Sequence, residues 1–398
     1  MTLVATYGLV LVLAALLSAL AARTWLSTSL VVLLLGVTLG TGGLGVVDIV
    51  AEDEIVSTLA QVALVVVLFT DGQRLPLRYV RSTARLAGRA LLLGMPLTFL
   101  GISTLAVLLT DLDWVQAMLV GAVLSPTDPV FAAAVVQRDD VPERLRRLLN
   151  VESGINDGLA LPVVLVLLAQ EGTPQEATQP LLLAAELLGG VVLGLVLPLA
   201  VAAVTRVPGF DLRGAPALLA LATGIALFGV AEITHANPYL AMFVGGITYA
   251  TALPGLESEF DELGEQLSEA AKLLALLVFG MLLTPTLLGA VSLGGWVLAL
   301  LALVLVRPAS MLVSLAASRL PRRERLVAAW FGPKGFASVV YGLLVLESGA
   351  PGASKEFAII AACVAVSVLV HSSTDVPVAR WLSGGAAAEQ PVRGSPPQ

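Results

Sequence analysis

An all-α, polytopic membrane fold is predicted by three observations on this 398-residue chain. Its residues are 57% hydrophobic and only 13% charged, about half the charged share of a soluble domain. Its apolar residues fall into about thirteen stretches long enough to cross a hydrocarbon layer of roughly 30 Å. The loops between them alternate between basic and acidic, as the preference of Lys and Arg for the cytoplasmic side requires.

The stretches lie near 3–22, 27–47, 55–71, 86–110, 115–137, 145–169, 180–204, 214–233, 237–253, 266–287, 293–317, 324–347 and 356–372. The first begins at Leu3 without a basic leader or a small-residue cleavage site, so it reads as a retained span. Arg74, Arg78, Arg81 and Arg85 follow the third span; Arg138, Arg144, Arg146 and Arg147 the fifth; Arg206 and Arg213 the seventh; Arg319, Arg322, Arg323 and Arg325 the eleventh. Loops of the other parity carry Glu52, Asp53, Glu54, Asp111, Asp113, Glu171 and Glu176. This pattern puts the N-terminus outside and the C-terminus inside the cell membrane. Glu257, Glu259, Asp261, Glu262 and Glu265 form a cytoplasmic acidic loop, 254–265, and residues 383–398 read as a disordered cytoplasmic tail rich in Gly, Ala, Pro and Ser.

Composition also excludes several classes. The net charge of −7 sits mostly in loops, and no basic run with interleaved aromatics points to nucleic acid. Cys363 alone cannot make an internal disulfide or a cysteine metal site, and His235 and His371 are too few for a histidine site. No cofactor is expected.

Chemistry concentrates in a polar island. Ser125-Pro126-Thr127-Asp128-Pro129 interrupts the fifth span, and Gly332-Pro333-Lys334-Gly335 interrupts the twelfth. Proline lacks the amide N–H and clashes with the preceding turn, so it breaks a helix and leaves carbonyls unpaired. In hydrocarbon those carbonyls need a cation, a water or a side chain. The two breaks lie seven spans apart and therefore run in opposite directions. An inverted repeat requires this: a transmembrane domain 1–382 with repeats at about 1–170 and 214–382, and the span at 180–204 as the link.

The sixth span adds Glu152-Ser153-Gly154-Ile155-Asn156-Asp157. Ser153 and Asp157 share a helix face at i, i+4, and Glu152 and Asn156 form a second such pair. Hydroxyl, carboxylate and carbonyl oxygens make a hard site suited to Na⁺ or Li⁺. The plain alternatives are a proline kink and a polar network that only ties helices together. Intramembrane carboxylates are expensive and usually mark an ion or proton path. Asp71, at the end of the third span, reads equally as an interfacial acid or as part of that path. Glu232 and Glu347 sit at outer helix ends, and Lys272 is expected to snorkel to the cytoplasmic edge.

The charge inventory sharpens the reading. Asp71, Asp128, Glu152 and Asp157 face two deep cations, Arg307 and Lys334. If Glu152 pairs with Arg307, and Lys334 offsets either Asp128 or the carbonyl end of a half-helix, Asp157 has no fixed counter-ion. An uncompensated buried carboxylate takes a proton unless a cation neutralises it. Proton and cation then compete for one group.

Thr127-Asp128-Pro129 together with Glu152-Ser153-Gly154-Ile155-Asn156-Asp157 resembles the cation–proton antiporter superfamily, in particular the NhaP-like branch of monovalent cation/proton antiporters. The likeness covers nearly the whole chain. It implies an inverted-repeat fold with broken, crossing fifth and twelfth helices, and a homodimer in the lipid bilayer. A bundle of spans 5, 6, 12 and 13 would move against a scaffold. It implies that Asp157 binds a transported cation and a proton alternately, that Ser153 and the Thr127 carbonyl help coordinate the cation, and that Asp128 acts nearby through water. Asn156 would hold Thr127, and Glu152 with Arg307 would be a structural salt bridge. Electrogenic members carry Asp-Asp where this chain has Asn156-Asp157, which implies one proton per cation. Two departures stand out: Lys334 replaces a common Arg, and Asp71 replaces a longer Glu.

The reading is thus a secondary transporter, an electroneutral Na⁺(Li⁺)/H⁺ antiporter serving pH homeostasis. The alternative is a K⁺/H⁺ antiporter or K⁺ efflux system of the same fold. An intramembrane aspartyl protease would need Gly-x-Gly-Asp and Tyr-Asp motifs, which the chain lacks. It would also leave Arg307 and Lys334 unexplained. A passive channel is disfavoured by a single competing carboxylate.

Overall fold

The computed structural model describes residues 2–21, 28–50, 53–75, 86–128, 141–171, 180–207, 215–254 and 257–388, and among these it is helical with no strand. Pro129, Arg78, Arg81, Arg85, Arg138, Arg213, Glu52 and Glu176 lie outside the described residues. The helices are α1 (Thr2–Ala21), α2 (Thr28–Leu39), α3 (Glu54–Gln73), α4 (Leu86–Leu109), α5 (Trp114–Val123), α6 (Glu143–Glu171), α7 (Pro180–Val204) and α8 (Pro216–Thr234). They continue with α9 (Pro238–Ala252), α10 (Glu257–Leu282), the single turn α11 (Pro285–Gly289), α12 (Leu293–Ser314), α13 (Arg322–Trp330), α14 (Phe336–Glu347) and α15 (Ala353–Ala388).

Seven of these are long and apolar enough to cross a membrane: α3, α4, α6, most of α7, α8, α12 and the Ala353–Thr374 part of α15. Leu3–Leu16 of α1, α2, α5 and α14 are shorter apolar helices. Of the last two, α5 ends just before the non-helical residues 125–128, and α14 begins just after the irregular residues 331–335. The chain is a multi-pass membrane protein.

Three boundaries differ from expectation. The second stretch stops being helical at Leu39, where Gly40, Gly42, Gly43 and Gly45 follow and Gly45 takes a positive φ of 64°. The acidic segment 254–265 is not a loop: α10 starts at Glu257. Acids suit the positive amino end of a helix, and the far end stops at Leu282, short of Pro285. The segment from 383 is not wholly disordered either, since α15 runs on through the alanines 386–388, the best helix formers.

Packing divides the helices into two groups. In one, α9 lies on α3 and α7, and α10 on α2 and α3. In the other, α5 packs on α4 and α6, α14 on α15, and α12 on α13 and α15. The groups meet where α3 and α10 touch α14 and where α3 and α9 touch α6. Glycines set two close approaches. A Cβ on Gly36 of α2 would lie 2.9 Å from the Gly280 Cα of α10, and one on Gly72 of α3 would lie 3.2 Å from the Gly246 Cα of α9.

Two matching irregularities mark the second group. A π-helical turn, Ala90–Gly94, precedes Met95-Pro96 in α4, and another, Ala302–Val306, precedes Arg307-Pro308 in α12. Each proline removes the N–H that would bond the carbonyl four residues back, and the widened turn accommodates the ring.

Because the α2–α10 seam leaves no room for a side chain, Gly280→Leu should cost roughly 1–3 kcal/mol of overpacking. Thermal unfolding in detergent should show a midpoint several degrees lower; an unchanged midpoint would mean that these glycines do not set the spacing.

Candidate functional site

The two interruptions are stitched to each other. α5 ends at Val123, and Ser125 to Asp128 are non-helical; α13 ends at Trp330, and the chain stays irregular from Phe331 to Gly335. The Asp128 N–H donates to the Pro333 carbonyl at 2.9 Å, and the Phe336 N–H donates to Asp128 Oδ2 at 2.9 Å. Asp128 therefore places its carboxylate on the free amides at the start of α14, where negative charge is favoured. Lys334 does the reverse. Its Nζ donates to the carbonyls of Ser125 (3.4 Å) and Pro126 (3.2 Å), at the carbonyl end of α5. Of the two roles open to Lys334, the structure selects the half-helix carbonyls.

Other carbonyls freed by the breaks are also met. Ser125 Oγ donates to Gly121 O at 2.7 Å, and Ser338 Oγ to Val123 O at 2.8 Å. At the end of α13 the Trp330 carbonyl lies 3.2 Å from His371 Nε2. The Lys334 N–H donates to Ser367 Oγ at 2.7 Å. This backbone satisfaction is what an irregular segment at membrane depth requires.

The polar face of α6 lies against the first break. Ser153 Oγ donates to the Thr127 carbonyl at 2.5 Å, and Asn156 Nδ2 donates to Thr127 Oγ1 at 2.8 Å. Asp157 is buried, and its Oδ1 has no hydrogen-bond partner among the described residues. Its charged neighbours are Asp71, Asp128, Lys272 and Lys334. Tyr341 O–H of α14 donates to the Asp157 backbone carbonyl at 2.7 Å and holds this turn of α6. Asp157 thus lies one turn along α6 from Ser153, which bonds the Thr127 carbonyl, and keeps one buried carboxylate oxygen without a partner among the described residues.

Glu152 faces away, into a buried ion pair: Arg307 Nη2 lies 2.5 Å from Glu152 Oε1. The widened turn before Pro308 presents Arg307 to the bundle. A Cβ on Gly332 would lie 2.9 Å from Arg307 Cγ, so only glycine leaves room for that side chain.

Lys272 corrects an expectation. It does not snorkel to the edge. Because α10 begins at Glu257, Lys272 falls more than half-way along the helix, is buried, and lies 3.5 Å from Asp71 Oδ2. Asp71 is buried as well. Glu232 and Glu347 are exposed at their helix ends, as expected. Outside the site, Arg144 and Glu324 form a bidentate pair, with bonds of 2.7 and 2.5 Å.

A family model described as sodium/hydrogen exchanger, transmembrane, matches residues 9–381. The chain belongs to this sodium/hydrogen exchanger family. Among characterised relatives, the K⁺/H⁺ antiporter NhaP of Alkalimonas amylolytica is 25% identical over 358 residues, covering 89% of this chain and 62% of that protein. The Na⁺/H⁺ antiporter NhaP of Pseudomonas aeruginosa is 28% identical over 298 residues, covering 70% of this chain and 69% of that protein. The chain thus spans less than two thirds of the length of the K⁺/H⁺ relative. The sodium proton antiporter MjNhaP1 of Methanocaldococcus jannaschii has the same fold: TM-score 0.79 at 21% identity, covering 96% of this chain and all of that one.

Thr127, Asp128, Ser153, Asn156, Asp157, Glu152, Arg307 and Lys334, expected from sequence, come together in the fold. Lys272, Tyr341, Gly332 and His371 were not singled out as site residues. The available signal for Lys272 was a lone cation in a stretch otherwise acidic or apolar.

Removing one member of a buried ion pair strands the other charge. Arg307→Met alone should cost roughly 3–5 kcal/mol, whereas Glu152→Gln with Arg307→Met should recover much of that loss. Thermal unfolding of the purified variants reads both; equal loss in single and double variants would mean that the pair does not act as a unit.

Proposed function

We propose that this exchanger is an electroneutral monovalent cation/proton antiporter, with Na⁺ or Li⁺ and H⁺ competing for Asp157. The observation that carries the reading is the Asp157 carboxylate: buried, with an unpartnered oxygen, on the helix face that also presents Ser153 to the Thr127 carbonyl. Carboxylate, hydroxyl and carbonyl oxygens suit a hard cation. When Asp157 binds a proton it loses its charge, so the same oxygens no longer hold the ion.

Asp128 and Thr127 complete the cation surroundings, and Asp71 borders them. Asn156 positions Thr127. Glu152, Arg307 and Lys334 support the site without binding the ion. Asp128 on α14 and Lys334 on the α5 carbonyls tie the two breaks into one body, which would carry the site between two access states against the group built on α3, α9 and α10. The matching breaks, π-helical turns and glycine seams support inverted repeats at about 1–170 and 214–382 in a domain 1–382, linked by the helix at 180–204. α7 leaves Leu181, Leu188, Val192 and Val196 exposed, an apolar face suited to lipid or to a second copy in a homodimer. The alternation of arginine loops supports a cell-membrane location with the N-terminus outside and the C-terminus in the cytoplasm.

A second reading, K⁺ in place of Na⁺, is favoured by one observation: the K⁺/H⁺ relative aligns with more of this chain than the Na⁺/H⁺ relative does.

The test is purified protein in proteoliposomes with an imposed pH gradient and a pH dye. Na⁺, Li⁺ or K⁺ is added in turn, with the voltage clamped or free. Voltage-insensitive collapse by Na⁺ or Li⁺, abolished in Asp157→Ala, supports the proposal; collapse by K⁺ alone moves it to the second reading; activity equal in the variant contradicts it. Competition also fixes a sign. Acidification protonates Asp157, so half-saturating cation should rise, by about tenfold per pH unit where the protonated form dominates. A half-saturation independent of pH would contradict competition.

A further inference from the structure

Resting on the antiport reading, we infer that Lys272 is a tethered counter-cation. It neutralises Asp71 and leaves the site holding one monovalent positive charge.

The buried charges give the count. Among the described residues, Asp71, Asp128, Glu152 and Asp157 are the buried carboxylates around the two breaks, and Lys272, Arg307 and Lys334 are the buried Lys and Arg side chains. Four against three leaves one negative charge. Three of the acids have an assigned positive partner. Glu152 has Arg307, Asp128 lies on the amino end of α14, and Asp71 has Lys272 at 3.5 Å. Lys334 is spent on the carbonyl end of α5. Asp157 remains, and one Na⁺ or one H⁺ completes the balance. A buried charge left uncompensated is costly, so a site with this inventory rests when it holds one positive charge of either kind. One-for-one exchange follows from the count.

The location of Lys272 matters as much as its charge. It sits on α10, and Asp71 on α3; these helices belong to the same packing group. The pair therefore stays together whatever the other group does. Lys272 also faces Asp128 and Asp157 across the boundary between the groups, along with Arg74 at the end of α3. Arg74 is itself 3.7 Å from Glu265. If Asp71 were removed, the Lys272 ammonium would lose its own partner and compete with the transported ion.

Charge-balance rescue tests this. Asp71→Asn leaves Lys272 free to pair with Asp157, so half-saturating Na⁺ should rise by about tenfold or more. Lys272→Gln, or Lys272→Met if the first does not fold, leaves two uncompensated carboxylates. In alkaline medium its half-saturating Na⁺ should fall and its exchange should become voltage-sensitive. Asp71→Asn with Lys272→Gln restores the count, and both properties should return to within a few-fold of wild type. Lys272→Arg keeps the positive charge, so its exchange should stay voltage-insensitive. Na⁺-dependent thermal stabilisation in detergent, against choline, reads binding; proteoliposome exchange with clamped voltage reads transport. A double variant no better than Asp71→Asn would overturn the inference, because Asp71 would then serve the ion itself. Asp71→Asn binding Na⁺ as wild type does would overturn it too. If wild type exchanges cations and Asp157→Ala does not, while rescue fails, only this inference falls. If wild type shows no cation-dependent proton movement, the antiport reading falls instead.

Discussion

In a low-dielectric interior every charge and every freed backbone group must find a partner, and this constraint shapes the whole protein. Two spans are interrupted at membrane depth, which would leave amides at the start of α14 and carbonyls at the end of α5 without partners. Asp128 supplies the negative charge that the amides favour, and Lys334 supplies donors to the carbonyls. Each break thus contributes the residue that completes the other. The geometry also places Thr127 against Ser153 and Asn156, on the helix that carries Asp157, so closing the breaks also sets the surroundings of the candidate site.

In the proposed mechanism the same constraint sets how much charge the site holds. Glu152 and Arg307 cancel in a buried pair, and Gly332 is required because the arginine side chain occupies the space of its Cβ. Asp71 and Lys272 approach within 3.5 Å on the other side of the site. Between these pairs Asp157 retains an oxygen with no donor among the described residues. In the proposed mechanism, that unfilled valence lets a cation and a proton substitute for one another.

Much of this was legible in the sequence where the cause is local. Proline sterics at Pro126 and Pro333 locate the breaks, and i, i+4 spacing puts Ser153 and Asp157 on one face. Glu152 pairs with Arg307, one of the pairings the charge inventory left open and the one the family resemblance implied. What depends on helix boundaries or on distant packing was not legible. Lys272 was assigned to the membrane edge because the acids before it read as a loop; they instead extend α10 and carry Lys272 to the interior. Tyr341 on the Asp157 carbonyl and His371 near the Trp330 carbonyl depend on α14 and α15 coming together, which no local pattern encodes. The π-helical turns have a faint signature in Met95-Pro96 and Arg307-Pro308, read only once the turns are seen.

The central claim is that one group holds either a cation or a proton. It is tested most directly by counting protons released when cation binds to purified protein in weakly buffered detergent, with a pH dye calibrated by acid additions. The account predicts close to one proton released per cation bound in mildly acidic medium, declining as the medium is made alkaline, and none from Asp157→Asn. Cation binding without proton release at any pH, or release that persists in the variant, would contradict it.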